Sequence, residues 1–284
     1  MENQEAGLDV SVEDRLCVVK FNRPRKKNAL RVKRQMQTAE LRHCSCKGEY
    51  RALMAILDRA AENPGVTVVA VTGEGDYFTA GNDFIDSLEN TRNDQSSAEG
   101  TEVWEKGSSS GINSFRDFIT ALVNFPKPLV AVLNGPAVGM GVTILPLFDL
   151  VYASDKATFH APFVQLGVVA EGCSSYTFPR LMGMGKAAEV LLFGKKLTAK
   201  EASDRGLVTE VLPHASLHQV WPRIREYAKF PLKTLLTVKE MMRANDRETL
   251  VKVNIMEMEY LKKAARSEEA FTGIMNMFAK KSKL

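Results

Sequence analysis

The stretch Pro128-Leu129-Val130-Ala131-Val132-Leu133-Asn134-Gly135-Pro136-Ala137-Val138-Gly139-Met140-Gly141 sets an apolar run against a glycine turn, and a second apolar run, Val142 to Leu147, follows at once. A short apolar run bounded by turn formers reads as a buried strand, and the run past the turn as the start of a buried helix. Three glycines let the main chain approach a ligand closely. The first amides of the helix have no partner within it, so they can donate to an oxyanion. A second turn of similar character, Phe78-Thr79-Ala80-Gly81-Asn82-Asp83, closes the strand expected over 66–72. Either turn alone is also an ordinary strand-to-helix connection; together they point to two amides aimed at one oxygen, as enolate chemistry requires.

Outward from these turns the order is α/β. Leu16 to Phe21 reads as a first strand halted at Asn22-Arg23-Pro24, Tyr50 to Ala61 as a helix stopped by Asn63-Pro64-Gly65, and Phe115 to Val123 as a helix ended by Phe125-Pro126-Lys127-Pro128. The Ser-, Asn-, Gly- and acid-rich segment from Thr91 to Ser110 is expected to be a mobile surface loop. Beyond about residue 180 the pattern is mostly helical, with a long stretch from Leu235 to Lys263. The division expected is an α/β core over 1–210, interrupted by an insertion over 31–48, and a C-terminal helical region over 211–284.

A chain of 284 residues with 45% hydrophobic and 25% charged residues has the balance of a globular protein with a full core, which excludes a disordered chain. No apolar run is long enough to span a bilayer, so membrane insertion is not expected. The net charge of +4 is spread along the sequence, which argues against nucleic acid as the main partner while leaving room for a local basic patch. Cys17, Cys44, Cys46 and Cys173 form no disulfide framework, and His43-Cys44-Ser45-Cys46 lacks the second ligand cluster that zinc usually needs, so no metal is expected. The opening Met1-Glu2-Asn3-Gln4-Glu5 is acidic and polar, unlike a secretory or mitochondrial leader. The closing Ser282-Lys283-Leu284 matches the tripeptide read by the peroxisomal import receptor, so the peroxisome is the expected location. Whether forms with a different N-terminus reach mitochondria is left open.

Arg23-Pro24 with Asn28-Ala29-Leu30, Ala80-Gly81-Asn82-Asp83, Asn134-Gly135 with Val138-Gly139-Met140-Gly141, Glu171-Gly172-Cys173-Ser174-Ser175-Tyr176, Phe193 to Ala199 and Gly206-Leu207-Val208 together make a specific set. In these residues the chain resembles the enoyl-CoA hydratase/isomerase (crotonase) superfamily from Val18 to the C-terminus, and within it the peroxisomal delta-3,delta-2-enoyl-CoA isomerases. The resemblance implies a crotonase-like ββα superhelix with a C-terminal helical trimerisation region, a homotrimer or hexamer, an acyl-CoA thioester substrate, and no cofactor beyond the coenzyme A that belongs to the substrate.

It also implies roles. Hydratases of the superfamily add water with two glutamates; the matching positions here are Thr143 and Phe163, neither of which can act as a carboxylate base. Glu171 stands where the similar isomerases place a single catalytic acid. One carboxylate can take a proton from C2 of a 3-enoyl thioester and return it at C4, while the backbone N–H groups of Asn82 and Met140 hold the dienolate oxygen. Val168, Val169 and Phe163 are expected to desolvate Glu171 and raise its pKa. Lys26, Lys27, Asn28, Ala29, Ala80, Gly81, Asp83, Gly139, Phe163, Phe278 and Lys281 are the expected substrate and CoA contacts, although Asp83 also suits a helix cap and the lysines suit ordinary solvated positions. His160 reads first as a structural histidine with catalysis as the alternative, and Asp149 as a structural acid.

The family passes from Asn28-Ala29-Leu30 to its first helix in far fewer residues than this chain uses. The extra segment is basic and lacks an apolar face, and a loop insertion of that length carries only a small entropy cost. Two other readings stay open: an acyl-CoA-binding protein of the same fold without catalysis, and another reaction of that fold, such as dienoyl-CoA isomerisation or thioester hydrolysis.

Overall fold

The structure is a computed structural model, and it describes residues 3–5, 7–31, 48–82 and 100–281. Two strands that the sequence reading did not anticipate, β1 (Asn3–Glu5) and β2 (Leu8–Glu13), precede the expected β3 (Leu16–Phe21). Then come α1 (Glu49–Glu62), β4 (Val68–Gly73), α2 (Gly100–Asn124), β5 (Leu129–Leu133), β6 (Ala137–Val138), the single turn α3 (Met140–Thr143), β7 (Leu150–Ser154) and β8 (Thr158–His160). The rest is α4 (Ser174–Met182), α5 (Met184–Leu191), β9 (Leu197–Thr198), α6 (Ala199–Asp204), β10 (Glu210–Leu212), α7 (Val220–Ala228), α8 (Leu232–Ala264) and α9 (Glu268–Lys281).

The larger sheet has the order β1-β2-β3-β4-β5-β7-β10 and a smaller one the order β6-β8-β9. From β3 to β10 every pairing in the large sheet is parallel. Parallel strands need crossovers and carry cover on both faces, which is why β4 and β5 read as unbroken apolar runs. Their side chains divide by alternation. Val69, Val71, Leu129, Ala131 and Leu133 enter the main core, while Val68, Ala70, Val130 and Val132 join Val220, Ile224 and Ala228 of α7 on the other face.

The segment 100–110 was expected in a loop and instead begins α2. The Ile112–Val123 part is anchored by buried Ile112, Phe115, Phe118, Ile119 and Leu122. Once that part is helical, each further residue adds one hydrogen bond, and serine or glycine opposes this by only about 0.5–1 kcal/mol per residue. The expected boundary at residue 210 passes through β10, which pairs with β7 in the large sheet. The C-terminal region packs into the same core, where Leu250, Met258 and Leu261 of α8 are buried. Residues 91–99, Cys44 and Cys46, and the tripeptide Ser282-Lys283-Leu284 lie outside the described residues.

Arg31 and Glu49 flank the unexpected segment and join its two ends. Arg31 N–H donates to Glu49 Oε2 at 2.8 Å, its Nε to Oε1 at 2.8 Å, and Glu49 N–H returns to Arg31 O at 3.2 Å. Glu49 is buried, and Arg23 lies 3.8 Å from it as a second cation. The core elements before and after residues 32–47 are therefore tied by bonds of their own. No described helix is long and apolar enough to cross a membrane.

Candidate active site

The two glycine turns meet. Val138 N–H donates to Thr79 O at 3.0 Å, Phe78 N–H to Pro136 O at 3.1 Å, and Thr79 bridges to Ala137 in parallel register. Gly81 adopts φ +81° with a Cβ position only 2.7 Å from Val138 O, so only glycine brings the turns this close. Leu30 pairs with Asn82, and in that bridge Leu30 N–H donates to Gly81 O at 2.8 Å. Gly139, at φ 57° and ψ −122°, precedes α3 and donates its N–H to His160 O at 2.8 Å. Met140 is then the first residue of α3, where an N–H has no intrahelical acceptor. Among the described residues, neither the Asn82 nor the Met140 N–H has a backbone acceptor.

Glu171 lies in the turn before α4 and is 4% exposed. Gly172, at φ +70°, packs on Thr143 of α3, where a Cβ would fall 2.6 Å from Oγ1. That contact locks the Glu171 turn to the Met140 turn. Cys173 follows at φ +65°, a left-handed conformation that costs a residue with a side chain about 1–2 kcal/mol. No described group donates a hydrogen bond to the Glu171 carboxylate, while Phe163, Val168, Val169 and Ala170 pack in the same core. Burial first, and then the charge of Glu257, push Glu171 up to about 8. A carboxyl held there is poised to take and return protons near neutral pH.

Two partners were missed in the sequence. Tyr50 of α1 is 1% exposed, packs between Phe115 and Phe118, and donates its hydroxyl to Asn82 Oδ1. Burial pushes the phenol well above its ordinary value, and the charges of Glu171 and Glu49 add to that shift. In the sequence Tyr50 is one more apolar position of an amphipathic helix. Glu257 of α8 is buried and accepts from the start of α4, yet its neighbours Glu248, Glu259, Lys252 and Lys262 give it the pattern of a solvated face.

The expected CoA residues divide. Asn28 is buried and its side chain is fully engaged: Oδ1 accepts from Arg23 N–H at 2.9 Å, and Nδ2 donates to Glu74 O and Tyr77 O at 2.9 and 2.7 Å. It pins the 23–30 segment to the 74–82 turn, and Ala80 N–H adds a bond to Lys27 O at 2.8 Å. Ala29 is buried behind it with its carbonyl on Arg23. Lys26 and Lys27 stay exposed on this segment, Lys27 with its ammonium 5.0 Å from the centre of the Tyr77 ring. Asp83, and the side chains of Phe278 and Lys281 on α9, lie outside the described residues.

Thr143 is buried with its hydroxyl on Met140 O at 3.4 Å, and Phe163 is core. His160 is half-buried in β8; burial, with the charge of Lys196 behind it, lowers its pKa, and it hydrogen-bonds to the Gly194 backbone. Asp149 accepts from Leu129 N–H, Lys239 and Arg243 at 2.8, 2.7 and 3.0 Å, the structural role expected of it. No group of three metal-ligating side chains occurs among the described residues.

The family model described as enoyl-CoA hydratase/isomerase matches residues 11–284. This chain belongs to that family. The enoyl-CoA delta isomerase 2 proteins of Rattus norvegicus and Homo sapiens are 43% and 42% identical to it over 99% and 98% of the chain, and the match takes in 66% and 64% of their own length. The chain thus spans about two thirds of those curated relatives. The peroxisomal enoyl-CoA delta isomerase 3 of Mus musculus is 41% identical over 96% of the chain and 78% of its own length. Among solved structures, an enoyl-CoA hydratase/isomerase from Pseudoalteromonas atlantica T6c is similar with a TM-score of 0.78 and 30% identity, covering 96% of this chain and 97% of that one. The crotonase-like α/β fold with its C-terminal helices is therefore the family fold.

Proposed function

We propose that this chain is a delta-3,delta-2-enoyl-CoA isomerase, which moves the double bond of a 3-enoyl-CoA to give the 2-trans-enoyl-CoA. One observation carries the reading: a single carboxyl, Glu171, buried without a described hydrogen-bond donor and raised to about 8, on a turn fused to two abutting glycine turns. Glu171 takes a proton from C2 of the substrate and returns it at C4 on the same face. The negative charge of the dienolate gathers on the thioester oxygen, where the N–H groups of Asn82 and Met140 hold it, each such donor contributing roughly 3 kcal/mol to the transition state. Thr143 and Phe163 supply no second acid, which favours proton transfer within the substrate over addition of water.

Tyr50 steadies the Asn82 side of the oxyanion site through its bond to Oδ1. Lys26 and Lys27, exposed beside the 74–82 turn, suit the phosphates of coenzyme A. The names of the relatives and the tripeptide Ser282-Lys283-Leu284 support a place in peroxisomal oxidation of unsaturated acyl chains with the import receptor as partner, and the family resemblance supports a homotrimer or hexamer as the working unit. The test follows the absorbance of conjugated enoyl-CoA formed from a 3-enoyl-CoA. Wild type turns it over, and Glu171→Gln binds acyl-CoA without doing so; loss of binding along with turnover would make Glu171 structural and refute the assignment.

A further inference from the structure

We propose that Glu257 of α8 is a positioning residue for Glu171, holding the turn that presents the shuttle carboxyl and setting the charge that faces it. The inference rests on the reading of Glu171 as the proton shuttle. Glu257 is 3% exposed, and every bond to it comes from the segment just after Glu171. Its Oε2 accepts from Cys173 N–H at 2.7 Å, and its Oε1 from Ser175 N–H at 2.9 Å and Ser175 Oγ at 2.6 Å.

Those amides open α4, and the residue at its cap, Cys173, caps none of them with its side chain, its thiol donating to Leu250 O at 3.4 Å. The cap comes instead from a carboxylate far along the chain. Gly172 and Cys173 are both left-handed, at φ +70° and +65°, and a residue with a side chain stays there only when its surroundings hold it. Glu257 provides that hold from a rigid support. One helical turn earlier, Asn254 Nδ2 donates to Arg116 O and Thr120 Oγ1 on α2 at 2.9 and 3.0 Å, while Met258 and Leu261 are buried in the main core.

The two carboxyls are solvated by the protein in opposite ways. Burial raises Glu257 above the ordinary carboxylate value, and the donors from Ser175 and Cys173 oppose that rise by favouring the anion. Glu171 has no described donor. The pair therefore ionises in order, Glu257 first, and its charge then opposes ionisation of Glu171. The other titratable groups facing the pair are Tyr50 from α1, itself under the charge of Glu49, and Cys173 in the turn. No described cation acts on either carboxyl.

The experiment uses the full chain as wild type, Glu171→Gln, Glu257→Gln and Ser175→Ala. Carbon-13 NMR of labelled glutamate follows the carboxyl titrations, with Glu171→Gln identifying the Glu171 signal, and kcat and KM for a 3-enoyl-CoA are measured across pH. In Glu257→Gln the Glu171 titration should move down from about 8 toward the ordinary carboxylate range. Its amide group also faces Cys173 N–H donor to donor, so on the high-pH plateau, where Glu171 is the base in both proteins, kcat should fall on the order of tenfold to a hundredfold with KM nearly unchanged. Ser175→Ala removes one donor from the surface of α4; the Glu257 titration should rise and kcat fall a few-fold. An unmoved Glu171 titration in folded Glu257→Gln overturns the proposal, as does an equal loss of binding and turnover. Should Glu257→Gln not fold, an unmoved Glu257 titration in Ser175→Ala overturns it. A wild type that never converts the 3-enoyl-CoA refutes the isomerase reading instead, and the titrations still decide the link between the two carboxyls.

Discussion

Replacing Glu171 with glutamine should make the protein more stable at high pH while abolishing its chemistry. Burial and the charge of Glu257 raise the folded-state pKa of Glu171 to about 8, well above that of the unfolded chain. A carboxyl raised on folding takes nothing from stability while both states hold the proton. The loss starts as pH climbs past the unfolded value, grows until the folded pKa is reached near 8, and stays constant above it. Its size is on the order of 3–5 kcal/mol. Glutamine fills the same space without ever ionising. Urea unfolding at about pH 5 should thus separate the two proteins little, whereas at about pH 9 the variant should be the more stable by several kcal/mol. Turnover behaves oppositely. The base form of Glu171 is about a tenth of the population at neutral pH, so wild-type kcat/KM should climb about tenfold as pH rises through 8, and the variant should lose about a thousandfold to ten-thousandfold at any pH. A variant less stable than wild type at high pH would show that the carboxyl is not desolvated, and turnover within tenfold of wild type would show that it is not the shuttle.

Other sites give independent checks. Tyr50→Phe removes the donor on Asn82 Oδ1 and keeps the aromatic packing; kcat should fall roughly fivefold to tenfold and stability by about 1–2 kcal/mol, read by the same assay and by urea unfolding. Lys127 is buried with its ammonium on the carbonyls of Ala60, Asn63 and Val66 at 2.6, 2.7 and 2.9 Å, so Lys127→Met should destabilise by about 3–5 kcal/mol, with thermal unfolding as the measure. Replacing residues 32–47 with a Gly-Gly linker should leave the thermal unfolding midpoint unchanged, because Arg31 and Glu49 already join the two ends; the same linker in an Arg31→Ala, Glu49→Gln background should unfold at lower temperature.

What could be read from residues alone was local and periodic. The apolar runs of β4 and β5 are continuous because both faces of a parallel sheet are covered, and the turns that end them carry glycine because the main chain comes within contact distance of its neighbour at Gly81. Glu171 could be singled out because it matched a family position, and its burial was expected from Val168, Val169 and Phe163 nearby. The helix over 100–110 was missed since its composition favours a loop, and only its continuity with the packed end of α2 makes it helical. Asn28, read as a ligand contact, also staples two segments of the chain, which no spacing announces, because an amide with two donors and an acceptor bonds wherever the fold delivers backbone partners.

By itself, then, the sequence determined the α/β order and the two glycine turns, since each is written in neighbours along the chain, while Glu171 stood out only through a family resemblance. Only the tertiary structure decided that Tyr50 from α1 meets Asn82 and that Glu257 from α8 holds the turn after Glu171. Both residues look ordinary within their helices, and the field that raises Glu171 is the sum of burial and a charge that folding brings from the far end of the chain. Electrostatics of that kind depends on distance through space and on lost water, neither of which is a property of sequence spacing.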